Sequence, residues 1–242
     1  FTTGLTYEFG KSSADLTSHS VIWVCALALA ITCIPAAIIL SNNFLRLMVL
    51  GPIRLNYRIR VRGLENVPHE GPLLLLPNHS TWIDGFLLSA AIPRNIVFMI
   101  DSTYYYKPLL KPFFEMFDFL PVNTGRKSVL QSLEAGKQAL ADGKALCLFP
   151  EGVLTRSGFM NEFKSGFQRV LKGNEDASVL PIYMGGTWGS TFSLRSGERL
   201  SLTNTAGPLP PKISVHVGEV VPHDIPALEL WEKVKELEFI DH

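Results

Sequence analysis

The chain has 242 residues, enough for one large α/β domain or for one globular domain with an added segment. Lysine plus arginine and aspartate plus glutamate each number 22, so the formal net charge is zero and a general nucleic-acid binder is not expected. Hydrophobic residues make up 47% and mean hydropathy is +0.20, which excludes disorder, collagen and a polytopic membrane chain. The excess is concentrated in Val21–Leu40 (VIWVCALALAITCIPAAIIL), where 18 of 20 positions are apolar. Of the three cysteines, Cys25 and Cys33 lie in that run and Cys147 in ALCLF, with no spacing of a metal site or disulfide framework.

No Asp, Glu, Lys or Arg occurs between His19 and Arg46. At about 1.5 Å per residue, 20 helical residues span about 30 Å, the thickness of a bilayer core. We therefore expect a transmembrane helix within residues 20–45, kinked at Pro35; a buried core helix is the alternative. A cleaved signal peptide is not expected, because a basic n-region is missing and the apolar run is too long. Lys11 precedes the span, whereas Arg46, Arg54, Arg58, Arg60 and Arg62 follow it. That asymmetry puts the bulk of the chain on the cytoplasmic face of the inner membrane, with the arginines against anionic headgroups. Residues 1–50 then form an N-terminal segment and 51–242 a single catalytic domain, and the start at Phe1 suggests an excerpt of a longer protein.

From Asn56 onward short apolar runs alternate with amphipathic stretches, the pattern of an α/β domain. RIRVR (Arg58–Arg62) predicts a strand with one basic and one buried face. LLLLP (Leu73–Pro77) predicts a buried strand, followed by a helix over 82–91 and a strand over 96–100. The aromatic stretch YYYKPLLKPFFEMFDF is broken by prolines, its tyrosines 104–106 and Phe113, Phe114 and Phe117 reading as core or membrane-facing surface. Residues 128–142 predict an amphipathic helix stopped by Gly143. ALCLF (145–149), VLPIYM (179–184) and ISVHV (213–217) predict strands, and a helix over 228–239 closes the chain.

Two motifs carry chemistry. In P-N-H-S-T-W-I-D-G, His79 and Asp84 stand five residues apart, a step of about 500° that sets them about 140° apart on one ideal helix. They meet only if His79 lies in the loop before the helix and Asp84 in its first turn. A carboxylate on one imidazole nitrogen then leaves the other as a general base. The plainer alternatives are a structural loop histidine and a helix-capping aspartate. FPEG (Phe149–Gly152) places a carboxylate and a glycine at a strand's C-terminal edge, the usual crevice for ligands in α/β proteins. The loop beyond it supplies Thr155, Arg156, Ser157 and Lys164 as phosphate ligands, with a solvated polar loop as the alternative. Arg126 and Lys127 precede a helix start, a place that suits an anion. His69, His216 and His223 lack partners at ligand spacing and read as structural.

Taken in order, these blocks resemble the glycerolipid acyltransferase family of the lysophosphatidate type. Its N-H-x-x-x-x-D, G-x-R, F-P-E-G and proline-bearing apolar blocks correspond to Asn78–His79–Asp84, a compressed Gly125–Arg126, Phe149–Gly152 and Val179–Tyr183 with Pro181. The resemblance covers Tyr57 to Val221 and implies a mixed sheet flanked by helices. It further implies that His79, oriented by Asp84, deprotonates a glycerol hydroxyl that attacks an acyl thioester on acyl carrier protein or CoA, with no acyl-enzyme, cofactor or metal. Arg126, Glu151, Gly152, Thr155, Arg156 and Lys164 would bind the acceptor. The V-L-T-R-S-G continuation is offset by two residues from the family's usual pattern, and with F-K-S-G-F it is more similar to the acyltransferase domain of 2-acylglycerophosphoethanolamine acyltransferases. Those proteins carry an acyl–acyl-carrier-protein synthetase domain, and some a preceding lysophospholipid transporter whose tail residues 1–45 would then be. Acylation of 2-acylglycerophosphoethanolamine is thus the first expectation and of 1-acylglycerol-3-phosphate the second; a hydrolase and a non-catalytic membrane module are the competing classes. Membrane lipids and the thioester carrier are the expected partners.

Overall fold

A computed structural model of the protein describes residues 50–122, 126–190, 193 and 212–241, together with 24, 27, 28 and 31. The chain divides into two units, Phe1–Leu47 and Met48–His242. In the first, Val24, Leu27, Ala28 and Ile31 are helical and exposed, and the rest of the span expected over 20–45 lies outside the described residues. Among the described residues no helix is long and apolar enough to cross a membrane.

In the second unit, helical residues 50–56 (α1) lead into β1 (Arg58–Arg62), and β2 (Leu73–Pro77), α2 (Asp84–Ala91) and β3 (Ile96–Asp101) follow. The aromatic stretch folds as two short helices, α3 (Ser102–Tyr105) and α4 (Lys111–Met116), before β4 (Phe119–Val122). Next come α5 (Arg126–Ala141), β5 (Ala145–Cys147), α6 (Gly166–Leu171), β6 (Ser178–Gly185), β7 (Lys212–Val217) and α7 (Ala227–Glu236), which runs into a 3-10 turn over Leu237–Asp241. The strands form one sheet in the order β1-β7-β6-β2-β5-β3-β4. Strands β6, β2, β5, β3 and β4 are mutually parallel, β7 is antiparallel to β6, and β1 is parallel to β7. The sheet is therefore mixed and mainly parallel, with helices flanking it.

β2 explains why LLLL is apolar at every position instead of alternating. As a central strand paired on both sides, it buries Leu73 and Leu75 on one face and Leu74 and Leu76 on the other, all four fully. Leu73 and Leu75 join Leu87, Phe98, Phe114 and Phe117 in one core, so the phenylalanines of the aromatic stretch do pack inward. Leu74 and Leu76 join Leu140, Phe167, Val170 and Leu230 in the other. β1 keeps its arginines exposed and half-buries Ile59 and Val61, as its alternation predicts.

Pro181 sits inside a central strand, where a missing N–H ordinarily costs a ladder bond. The N–H and C=O of one strand residue point to the same side, and the Pro181 carbonyl accepts from Gly218 N–H at 2.9 Å, beyond the end of β7. The absent donor therefore faces the segment just beyond the end of β7.

Gly186, just after β6, has φ +78°, and a β-carbon there would lie 2.1 Å from the carbonyl oxygen of Lys212. Gly143 has a similar φ, +75°, with open space around it. Gly143→Ala should cost about 1 kcal/mol for the left-handed backbone alone. Gly186→Ala should cost at least about 2 kcal/mol more, because the clash is with backbone. Urea unfolding of the two variants measures the difference.

Candidate active site

The C-terminal ends of the parallel strands lie along one edge of the sheet, and the chemistry-bearing residues follow two of them. β2 ends at Pro77, and Asn78 extends its pairing by a side-chain amide. Asn78 Nδ2 donates to the Met184 carbonyl at 3.1 Å, and Met184 N–H donates to Asn78 Oδ1 at 2.7 Å. This pins the chain to β6 so that the next residue, His79, leaves the sheet edge in a fixed direction.

Asp84 opens α2 and is 0% exposed, so it takes its hydrogen bonds from the protein. His79 Nδ1–H donates to Asp84 Oδ2 at 3.0 Å. The same oxygen accepts the N–H groups of Ser80 at 2.7 Å and Thr81 at 2.9 Å, and the Thr81 hydroxyl donates to Oδ1. The loop thus wraps around the carboxylate, which solves the geometric problem posed by the five-residue spacing. Asp84 accepts only, so Nδ1 carries the proton and the lone pair is left on Nε2. The His79 side chain is 22% exposed and its ring stacks on Phe149, centroids 3.8 Å apart.

β5 is the neighbour of β2, so FPEG emerges beside His79. Glu151 is 1% exposed, and its carboxylate accepts three hydrogen bonds from the chain. His79 N–H donates to Oε1 at 2.6 Å, and Oε2 accepts Asn161 N–H and Asn161 Nδ2 at 2.8 Å each. Burial pushes the Glu151 carboxyl above its ordinary value, against the pull of those N–H bonds and of His79. Thr155 is likewise turned inward. It is 1% exposed, its hydroxyl donates to the Phe159 carbonyl, and its N–H donates to the His79 carbonyl at 3.0 Å. The β5 loop therefore holds both backbone polar groups of His79.

His79 lines a cleft of about 490 Å³ with Met99, Ile100, Val122, Val129, Leu133 and Leu148, on the side of the sheet where α5 and α6 pack. Phe149, Gly152 and Lys164 also line it. A β-carbon on Gly152 (φ +69°) would lie 2.9 Å from Lys164 Nζ, so the ammonium overlies this glycine. Arg156 is exposed and absent from the cleft lining. Arg126 is the first residue of α5; its side chain, like Gly125, lies outside the described residues. Cys147 lines the cleft as well, but burial, with the nearby Asp84 charge adding to it, pushes its thiol well above its ordinary range, unlike a nucleophile. His216 is buried with Nδ1 at 2.6 Å from the Leu237 carbonyl, and His223 bonds to the Ala177 carbonyl, both structural contacts. Among the described residues no cluster of three or more His, Cys, Asp or Glu could hold a metal ion. Sequence reasoning missed the stacking role of Phe149, the first residue of FPEG, and Asn161, whose only signal was its place in the loop that follows.

Asp84→Asn should lower the rate of any reaction that uses His79 as a base by at least about 10²-fold, because an amide facing Nδ1 favours the wrong tautomer. Single-turnover kinetics would read it. Glu151 makes a second prediction, in stability. Its folded-state carboxyl binds a proton more tightly than in the unfolded chain, so stability falls as pH rises from 4.5 through the raised value and levels off above it. Glu151→Gln removes that component of the slope, measurable by denaturation at several pH values.

A family model described as "Acyltransferase" matches residues 58–185. The 1-acyl-sn-glycerol-3-phosphate acyltransferase of Pseudomonas aeruginosa is 30% identical over 131 residues, 52% of this chain and 48% of that protein. The chloroplastic 1-acyl-sn-glycerol-3-phosphate acyltransferase of Arabidopsis thaliana is 26% identical over 133 residues, 54% of this chain and 37% of that protein. The chain thus spans about half or less of these relatives. The crystal structure of the 1-acyl-sn-glycerophosphate acyltransferase PlsC from Thermotoga maritima superposes with a TM-score of 0.64 at 17% identity, covering 88% of this chain and 91% of that one, a likeness of fold. The family match takes in β1 to β6, the His79–Asp84 pair and FPEG alike, and on it the chain belongs to the acyltransferase family.

Proposed function

We propose that this domain transfers a fatty acyl group from a thioester, on acyl carrier protein or coenzyme A, to the free hydroxyl of a lysophospholipid. One observation carries the reading: the His79–Asp84 pair, 3.0 Å apart, stands at the wall of a largely apolar cleft. Apolar lining of this size suits an alkyl chain, and a base at its edge suits a reaction at the chain's carboxyl end. In the step, His79 Nε2 takes the proton of the acceptor hydroxyl as its oxygen bonds to the thioester carbonyl carbon. The tetrahedral intermediate collapses with cleavage of the carbon–sulfur bond, and the imidazolium returns the proton to the leaving thiolate. Asp84 holds the tautomer throughout and offsets the transient imidazolium charge. No covalent acyl-enzyme, metal or cofactor enters this scheme, and the raised Cys147 thiol fits it.

The acceptor we favour is 1-acylglycerol-3-phosphate, the substrate in the names of the curated relatives. Lys164, over Gly152 at the cleft, and Arg126, at the head of α5, are the cations we assign to its phosphate. A second reading, 2-acylglycerophosphoethanolamine, is favoured by the V-L-T-R-S-G continuation of FPEG and by F-K-S-G-F. Either acceptor is a bilayer lipid. Exposed Trp82, Tyr104, Tyr106 and Leu109, the last 90% exposed, stand on the segments that follow β2 and β3. Lys107 Nζ lies 5.0 Å from the Tyr104 ring centroid. Amphipathic aromatics beside a lysine suit the headgroup layer, and we assign this surface to the cytoplasmic face of the membrane.

The test is acyl transfer from radiolabelled acyl-CoA and acyl–acyl carrier protein to the two acceptors in mixed micelles. Wild-type protein should acylate 1-acylglycerol-3-phosphate faster, and His79→Ala should lose at least about 10²-fold. Release of free fatty acid without transfer would replace the proposal with a hydrolase, and unchanged transfer by His79→Ala would end the base assignment. Exclusive use of 2-acylglycerophosphoethanolamine would reverse the order of the two acceptors.

A further inference from the structure

Asn161 takes no part in the proton transfer, belongs to none of the four sequence blocks, and yet reaches the back of the site. It supplies two of the three N–H groups that Glu151 accepts, both on Oε2 at 2.8 Å. The third comes from His79 to Oε1 at 2.6 Å. A carboxylate is planar, so two donors from one residue on its far oxygen set the plane in which the near oxygen lies. That near oxygen carries the backbone of His79, whose carbonyl is held by Thr155 N–H from the same loop. The ring itself is held by Asp84 on its edge and Phe149 on its face. Without a fixed Glu151, these two contacts would orient the imidazole on a backbone free to shift.

We propose that Asn161 is a positioning residue of acyl transfer: by anchoring the far oxygen of Glu151, it turns the near oxygen onto the peptide N–H of His79 and so fixes where the base stands. The inference rests on His79 acting as the base, as proposed above. It also gives the three N–H bonds a second effect. Burial favours the neutral form of Glu151 and hydrogen bonding opposes this, so removing a donor makes protonation easier. A protonated Glu151 accepts the His79 N–H less well, and the clamp loosens. The titratable and charged groups around Glu151 are His79 itself, Asp84 behind it at the head of α2, and Lys164, whose Nζ overlies Gly152.

Asn161→Ala keeps the backbone bond to Glu151 and deletes the side-chain one. We expect kcat to fall roughly tenfold, in keeping with loss of one charge-assisted hydrogen bond. KM for donor and acceptor should stay within about twofold of wild type, and the readout that a merely structural role would not produce is the pH dependence. The acid limb of the kcat–pH profile should move to higher pH, and further in Asn161→Asp, where a second carboxylate faces the first. In a Glu151→Gln background the added Asn161→Ala change should cost less than about twofold, because its route to His79 is already cut. An NMR titration of the His79 ring protons gives a readout independent of turnover: in Asn161→Ala an inflection from Glu151 should appear at higher pH than in wild type. The proposal is overturned by wild-type kcat and pH profile in Asn161→Ala, or by an equal loss in the Glu151→Gln background. Wild-type protein that transfers no acyl group would instead sink the functional reading, and the NMR titration would then decide this inference alone.

Discussion

A carboxylate buried to zero exposure has to find its hydrogen bonds inside the protein, and Asp84 finds four of them within five residues of itself. That requirement shapes the whole loop after β2. Two backbone N–H groups and a threonine hydroxyl converge on the acid, and the only way to bring them there is to curl the chain around it. The imidazole of His79 arrives as the fourth donor at 3.0 Å. Charge-assisted bonds of this kind are worth about 1.5–3 kcal/mol each, and leaving such a group unsatisfied costs more. Loop conformation, histidine tautomer and helix start are therefore one decision.

A second buried carboxylate completes the arrangement from the neighbouring strand. Glu151 and Asp84 divide His79 between them, one holding its backbone and the other its ring. The pairing of β2 with β5 puts them there, since parallel neighbours end at the same edge and send their loops out side by side. In the transfer we propose neither is an acid or base: Glu151 positions the histidine backbone, and Asp84 orients the ring and offsets its transient charge. The lone pair left on Nε2 then stands beside a wall of Met99, Ile100, Val129, Leu133 and Leu148. On the proposed function, a polar dyad at the edge of an apolar cleft would serve a lipid hydroxyl and an acyl carbonyl without a charged nucleophile.

Much of this was legible from the residues in order. LLLLP, ISVHV and the amphipathic run after Arg126 announced β2, β7 and α5, because a uniformly apolar run, an apolar–polar alternation and a helical stripe each have their own period. β4 went unread because Pro121 and the prolines before it broke the pattern, yet the segment is an edge strand where a missing donor is tolerated. α6 has six residues, too few to display a helical period, and it is held by Phe167, Val170 and Leu171 in the core. The predicted start of α5 fell two residues late, the usual uncertainty of a helix end.

The spacing of His79 and Asp84, the glycine at the end of FPEG and the apolar strands before both motifs were enough, without coordinates, to pair the imidazole with its carboxylate and to place them at a sheet edge. Periodicity and sequence separation report on local geometry, and this pair is local. Which way Glu151 and Thr155 turn was decided only by the tertiary structure, since both look like ligand residues when written in a line. They point inward because β5 lies against β2, and the backbone of His79, 72 residues earlier than Glu151, needs two partners that its own loop, already wrapped around Asp84, does not supply. Asn161 became visible for the same reason: a hydrogen bond between two residues of one irregular loop leaves no period in the chain that makes it.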